Sequence, residues 1–266
     1  MFRLTREVRF AINAAAAAPQ RPPTNSYAGY PSLNGLGHYF TLAVTLAGDL
    51  NPDSHYLENI KQIDQTVRHL AIPLFDKTIR HHPSRFGAPL LAETFDLLQN
   101  AWPPAQLDCL TLSLSPFCSL SLHATERPMT RLSQKFEFAA SHRLHNPALS
   151  DEQNRQTFGK CNNPHGHGHN YELQVTLLGQ PAGNDSGLLI DIPAFEQIVA
   201  DTVINRFDHK NLNLQVAEFA SEIPSVENIA RVIYRLLKPK LQSPQSHLAS
   251  VTVWETPKTW CEYLED

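Results

Sequence analysis

One fourteen-residue pattern occurs twice in the chain, and any fold proposed for one half must also serve the other. Residues 35–48 read GLGHYFTLAVTLAG and residues 166–179 read GHGHNYELQVTLLG. They share eight identities without a gap, Gly168 falling 131 residues after Gly37. Self-similarity on this scale marks a repeated supersecondary unit. Further pairs keep the same order. VRFAIN (8–13) matches FEFAAS (136–141), LFDK (74–77) matches RFDH (206–209), LAET (91–94) matches SVEN (225–228), and LTLSLSP (110–116) matches VTVWETP (251–257). The expected organisation is therefore two related domains, 1–126 and 130–266, with the polar, proline-containing TERPMT (125–130) as linker.

Each half gives the same element order. In the second, an alternating strand, RLSQKFEFAASH (131–142), leads into a loop rich in Asn, Gly and Pro. A strand follows through NYELQVTLLG with Tyr171, Leu173, Val175 and Leu177 on one face. A helix is expected from about Pro193, with Phe195, Ile198, Val199 and Val203 at helical spacing. A second helix from Ser225 presents Val226, Ile229, Ile233 and Leu236, and two strands, ASVTVWE and TWCEYL, close the domain. The order ββααββ predicts an α+β fold: a four-stranded antiparallel sheet in each domain with two helices on one face.

The 266 residues are 42% hydrophobic, enough for one large core or two small ones. A net charge of -4 argues against nucleic acid as partner. The cysteines Cys109, Cys118, Cys161 and Cys261 have no framework spacing, which points to a reducing, cytoplasmic setting. No apolar run reaches membrane-spanning length, so no membrane partner is expected. FAINAAAAAP (10–19) has the look of a signal-peptide core, but the preceding RLTREVR carries an acid and alternates, and the repeat assigns it to a strand.

The chemistry concentrates in CNNPHGHGHNY, residues 161–171. In an extended segment His167 and His169, two apart, point to one face. Two adjacent imidazoles are half of a zinc site, and a catalytic one needs a third protein ligand and an open position. His142, at the end of the preceding strand, is the candidate third ligand. His165 would allow a shifted pair, but the first half keeps a histidine at the position of His169, as His38, and this anchors the register at 167/169. Cys161 has two readings. It completes a closed structural site as fourth ligand, or it stands free beside the metal, where local positive charge favours the thiolate and makes it a base. Asp208–His209 in FDHKNLN has the form of an acid that fixes an imidazole tautomer. Glu255 shares a strand face with Val251 and Val253, a costly place for a carboxylate unless it is paired; a ligand edge with two parallel N–H donors, such as that of a pterin or guanine, would pair it.

Together FAASHRLHNPALSDEQNRQTFGKCNNPHGHGHNY, DHKNLN, PSVEN and VWET resemble the 6-pyruvoyl-tetrahydropterin synthase family, which includes the bacterial 6-carboxytetrahydropterin synthases. The resemblance spans nearly the whole second half. It implies the tunnelling fold in both domains, with sheets joined around a barrel. It implies Zn2+ on His142, His167 and His169, Cys161 as acid/base catalyst with Asp208 and His209 as its partner pair, Glu255 as pterin anchor and Glu227 lining the pterin pocket. It implies a small-molecule substrate, 7,8-dihydroneopterin triphosphate, and a homo-oligomer with active sites at domain or subunit interfaces. The expected reaction is a lyase step that eliminates triphosphate to give 6-pyruvoyl-tetrahydropterin. The alternative is side-chain cleavage to 6-carboxy-5,6,7,8-tetrahydropterin, on the way to queuosine and other deazapurines. The wording CNNPxGHGHNY resembles the pyruvoyl branch, while Cys161 followed by His165-Gly166-His167 also fits the carboxy spacing. A non-catalytic pterin-binding or scaffold protein with structural zinc is the reading from another class.

Against that pattern the first half carries Ala14 for His142, Leu36 for His167, Tyr30 for Cys161, Lys77 for His209 and Leu114 for Glu255, with His38, Asp76 and Glu93 kept. It is expected to bind no metal and to turn over nothing, serving as a degenerate partner domain.

Overall fold

The structure is a computed structural model that describes residues 1–15, 24–181 and 187–265. Residues 16–19 of the alanine-rich stretch lie outside the described residues. The chain divides into two compact units, Met1–Leu132 with Gly179–Leu189, and Ser133–Leu178 with Ile190–Asp266. The segment around Gly187 groups with the first unit because the Gly187 carbonyl accepts from the Ala88 N–H, 2.8 Å.

In the first unit β1 (Phe2–Asn13), β2 (Gly37–Gly48), β3 (Gln106–Ser113) and β4 (Cys118–His123) form an antiparallel meander in sequence order. Between β2 and β3 lie α1 (Ile60–Thr66), α2 (Ile72–His81) and α3 (Ala88–Leu98). The period-two pattern of β2 buries Phe40, Leu42, Val44 and Leu46 against these helices, while Thr41, Ala43 and Thr45 stay partly exposed.

The second unit builds β5 (Thr130–His142), α4 (Asp151–Phe158), β6 (His167–Gly179), α5 (Ile192–Val199), α6 (Asn205–Phe207), β7 (Lys210–Asn211), α7 (Leu212–Gln215), α8 (Val226–Leu237), β8 (Ser246–Thr256) and β9 (Thr259–Tyr263). Its strands lie in the order β5-β6-β8-β9, with β8 and β9 antiparallel. The mixed fold with an antiparallel sheet is the α+β class expected. Ser225 caps α8 by accepting from Asn228 N, and the buried stripe is Val226, Ile229, Ala230, Ile233 and Leu237. Leu237 takes the place expected for Leu236, which is only half-buried.

Three features depart from the bare ββααββ plan. The loop before β6 contains α4, started by a capping box in which Ser150 and Gln153 bond reciprocally. A two-residue strand, β7, runs parallel to β5, Ala140 opposite Lys210 and Ser141 opposite Asn211. Each unit also carries a π-helical turn, Val67–Ala71 before α2 and Ala200–Ile204 before α6. Such turns accommodate one extra residue inside a helix.

Both units place an aromatic triad under the sheet. Phe10 meets Phe40 at 5.5 Å and Phe75 edge-on at 5.3 Å. Phe138 stacks on Tyr171 at 4.9 Å and meets Phe207 edge-on at 5.8 Å. Among the described residues no helix is long and apolar enough to cross a membrane.

Candidate metal centre and adjoining clefts

The core-side faces of three strands end together. Phe138, Ala140 and His142 alternate on β5; His167, His169 and Tyr171 on β6; Val251, Val253 and Glu255 on β8. The apolar members and Tyr171 bury a core, and one end of each row is polar: His142 on β5, His167 and His169 on β6, Glu255 on β8. The ligand atoms of His142, His167, His169 and Glu255 all lie within 4.8 Å of one another.

Distances within the group are short. His142 Nε2 is 3.1 Å from His167 Nε2 and 3.1 Å from Glu255 Oε1; His169 Nε2 is 3.3 Å from the same carboxylate oxygen. His142 is fully buried, and its Nδ1 lies 2.7 Å from the Pro224 carbonyl. A carbonyl only accepts, so Nδ1 carries the proton and Nε2 presents a lone pair to the group. His169 Nε2 is buried without a hydrogen-bond partner; its approach to Glu255 has ion-pair distance but not hydrogen-bond geometry. Imidazole lone pairs and a carboxylate converging this way form the donor set that Zn2+ accepts, so the residues fit the metal.

Glu255 reaches the group from a bulge. The β8–β9 register slips between Trp254 and Thr256, leaving Glu255 without a partner on β9. Bulges re-aim a side chain in this way. The adjoining His142 ring, foremost among its neighbours, holds the carboxyl below the usual range against the opposing cost of burial. Burial, reinforced by the neighbouring imidazoles, holds His167 below the ordinary imidazole value, and burial lowers His169 as well. Burial, then Glu255 and Cys161, pushes the Tyr171 phenol far up, so it remains a neutral hydroxyl.

Cys161 lies outside the four-donor group and is a free, half-buried thiol. It sits on the short 3-10 turn Gly159–Asn162 after α4. Together with Arg155, Lys160 and His167 it lines a cleft of about 640 Å³. Its loop is pinned to the end of β5, where Leu144 N donates to the Cys161 carbonyl at 2.9 Å and Arg143 Nε reaches Asn162. Asn154, fully buried, donates to the carbonyls of Asn146, Leu149 and Ser150 and accepts from Asn146 N. Gly166 crosses so close to His142 that a Cβ there would stand 2.9 Å from the His142 carbonyl oxygen, at φ +71. His165 is exposed and outside the donor group.

Asp208 and His209 lie apart from Cys161. Asp208 Oδ1 accepts from Ala139 N at 2.8 Å, and this backbone bond leads the effects that keep its carboxyl low. His209 N donates to the Ala139 carbonyl at 2.6 Å, and Asp208 Oδ2 lies 2.8 Å from His209 Nδ1. His209 adopts φ 56, and its imidazole is 83% exposed. Among the described residues no hydrogen bond or ion pair joins this pair to Cys161. Glu227, exposed in the first turn of α8, is likewise outside the donor group.

Sequence reasoning missed three contributors: the Pro224 carbonyl, the Tyr171 hydroxyl at 3.4 Å from His142 Nδ1, and the closeness of Glu255 to the imidazoles. Only Tyr171 left a signal, as the next residue on the His167/His169 face.

In the first unit the same positions are apolar or reassigned. Ala14 N donates to the Leu36 carbonyl, and Leu36 is 84% exposed. Asp76 is taken by Arg80, which also reaches the Asn13 and Ala14 carbonyls. Phe40, at the place of Tyr171, has no hydroxyl.

The sequence model of a family described as "6-pyruvoyl tetrahydropterin synthase" matches residues 131–266. A Drosophila melanogaster 6-pyruvoyl tetrahydrobiopterin synthase is 38% identical over 139 residues, covering 52% of this chain and 82% of that one. The Homo sapiens enzyme of the same name is 39% identical over 132 residues, covering 49% and 88%. A Haemophilus influenzae 6-carboxy-5,6,7,8-tetrahydropterin synthase is 30% identical over 156 residues, covering 52% and 100%. The solved Caenorhabditis elegans 6-pyruvoyl tetrahydropterin synthase aligns with a TM-score of 0.49 at 36% identity, over 52% of this chain and 97% of that one.

Proposed function

Because the chain belongs to the 6-pyruvoyl tetrahydropterin synthase family through residues 131–266, we propose that it is a zinc-dependent lyase that converts 7,8-dihydroneopterin triphosphate into 6-pyruvoyl-tetrahydropterin with loss of triphosphate. The observation that carries this reading is a donor group of three imidazoles and the Glu255 carboxylate beside a free thiol that is not part of it. A structural zinc would be closed by its sulfur; here Cys161 keeps its own cleft.

In this reading His142, His167 and His169 hold the metal, which when bound polarises the substrate's side-chain hydroxyls and acidifies the adjacent C–H. Cys161 takes a proton from that carbon. Arg155 and Lys160, on the same cleft, are placed to meet the triphosphate. Glu255 borders a second cleft of about 570 Å³ with Asn170, Trp254 and Thr256, where its carboxylate can accept from the amino and N3–H edge of a pterin. Glu227 belongs to the pterin pocket of an assembled enzyme.

His209 supports an oligomer. Its imidazole is oriented by Asp208 yet 83% exposed, and among the described residues no hydrogen bond or ion pair joins it to Cys161. In an assembly it reaches the Cys161 cleft of a second copy and completes the proton relay there. The first domain, 1–126, lacks the donors and serves as a non-catalytic partner of the catalytic 130–266.

The carboxy-forming reaction is the second reading, favoured by the full-length match of the Haemophilus influenzae protein and by the Cys161–His165 spacing. Incubating the zinc-loaded protein with 7,8-dihydroneopterin triphosphate and weighing the products separates the two. A pyruvoyl product is expected; a carboxy product selects the second branch, and neither product defeats the lyase assignment.

A further inference from the structure

We infer that the first unit carries a binding site of its own: a cleft between β1, α1 and the turn Val67–Ala71 that takes the phosphate group of a small molecule. The inference is independent of the lyase reading.

Both units share the frame on which this cleft is built. Phe195 falls 132 residues after Ile63, and at the same spacing Val199 follows Val67 and Phe207 follows Phe75. All six side chains are fully buried. In that register Lys61, Asp64, Arg68 and His69 stand where the second unit has Pro193, Glu196, Ala200 and Asp201. The pairing of VRFAIN with FEFAAS likewise sets Arg6 at the place of Gln134. In the second unit Gln134 Nε2 donates to Glu196 Oε1, a neutral amide closing on an acid. The matching positions thus hold two acids and no cation in the second unit, and three cations with one acid in the first. The buried residues keep their character while the charge beside them reverses, and packing alone does not require that reversal.

The cations outnumber their partners. Both Asp64 oxygens accept from Arg6, Nε to Oδ1 and Nη2 to Oδ2, at 2.8 Å each. The Arg68 side chain is only 11% exposed, yet it approaches Asp64 no closer than 3.7 Å. Its hydrogen bonds run to neutral acceptors: Nε to the Tyr30 carbonyl at 3.3 Å, Nη2 to the Thr24 carbonyl at 3.3 Å and to Asn25 Oδ1 at 3.4 Å. All three are longer than the about 2.7–3.2 Å of an ordinary N–H···O bond. Burial, the foremost influence on Arg68, pulls its guanidinium below the ordinary value. A buried charge is costly unless it is paired, and one carboxylate already held on both oxygens by Arg6 does not pair a second guanidinium. Lys61, exposed, makes no ion pair among the described residues.

Arg6, Lys61, Asp64 and Arg68 line a cleft of about 580 Å³ together with Asn25 and Tyr30. That volume lies in the range of small-molecule sites. The planar guanidinium fork of Arg68 matches two oxygens of a phosphate, and Lys61 adds a point charge. Three cations and one acid leave two positive charges in excess, which suits a phosphate dianion better than a carboxylate. The volume leaves room for the group to which the phosphate is esterified. Arg68 also joins the turn to residues 24–30, and Asn25 fastens that segment to β1 by donating to the Glu7 carbonyl and accepting from Arg9 N. An anion held by Arg68 therefore tightens the segment as well.

Calorimetric titration of the full chain carrying Arg155→Ala and Lys160→Ala, which disables the Cys161 cleft as an anion site, reads binding in the first unit. The probes are inorganic phosphate and phenyl phosphate, with chloride at matched ionic strength as control. One site per chain is expected. Arg68→Gln is expected to weaken binding by about tenfold or more, Lys61→Gln to weaken it severalfold, and the bound anion to slow hydrogen exchange across residues 24–30. Tighter binding of phenyl phosphate marks an ester as the ligand, tighter binding of phosphate marks the free ion, and either supports the site. Lys61 is exposed, so Lys61→Gln decides alone where Arg68→Gln does not fold. Binding no stronger than that of chloride would overturn the inference, as would binding left unchanged by these substitutions in variants of matched melting temperature.

Discussion

The Tyr171 hydroxyl oxygen lies 3.4 Å from His142 Nδ1, the nitrogen that also bonds the Pro224 carbonyl. One buried proton thus has two oxygen neighbours, and together they fix which His142 nitrogen faces the donor group. Tyr171→Phe reproduces the first unit, where Phe40 holds the equivalent place in its aromatic triad. Losing this contact is expected to cost about 1 kcal/mol of stability and to weaken zinc binding severalfold without displacing the metal. Thermal melts and chelator competition on the variant provide the check; a complete loss of zinc would contradict it.

Cys161→Ala is expected to retain one zinc per catalytic unit and to lose turnover. Metal analysis beside a product assay decides this. Parallel loss of metal and activity would make the thiol a ligand and would favour the structural-zinc scaffold.

Asn154 ties α4 to the loop 146–150 that leads into it. Asn154→Ala removes four hydrogen bonds from a buried site, with an expected cost of about 2–3 kcal/mol. The damage is expected to fall on the α4 loop: hydrogen exchange there accelerates and activity falls, while zinc stays bound, because none of the four donors is on that loop. Exchange that rises equally along β6 would refute this.

The metal-free protein is expected to lose stability as pH falls through the imidazole range. His167 and His169 are held below the ordinary value of 6.5 in the folded state. The unfolded chain therefore takes up their protons first, and the contribution present above 6.5 disappears as pH drops toward the folded values. Urea titrations of the apoprotein between pH 8 and 5.5 should show a falling midpoint, and zinc should flatten the upper part of that curve.

Phe75→Ala and Phe207→Ala remove equivalent, fully buried rings of the two triads. Each is expected to cost about 3–5 kcal/mol. Only Phe207→Ala, next to Asp208, is expected to reduce turnover beyond what its melting temperature explains.

The strands, the capped start of α8 and the paired histidines were legible because each is a local pattern: alternation, a Ser-x-x-Asn cap, an i, i+2 spacing. Glu255 was legible as an anomaly, a carboxylate in a valine row. What stayed hidden depends on distant backbone. The Pro224 carbonyl is 82 residues from His142, and the Ala139 amide that holds Asp208 is 69 residues away. The helix α4 was hidden by its polar composition, with Asn154 as its only buried residue and the capping box as its only signature. The bulge at Glu255 and the π turns displace registers without any marker residue, so the strand-face argument singled out this side chain but not how close it comes to the imidazoles.

The hydrogen bond from Ala14 N to the Leu36 carbonyl has a practical consequence for design. The two places where the first unit lacks an imidazole are already bonded neighbours, and His38 follows Leu36 by two residues on the same chain. Its aromatic underlay is in place as well. Histidines at 14 and 36 would join His38 on a backbone that is already bonded, which makes the first half of this chain a template for building a metal centre from scratch.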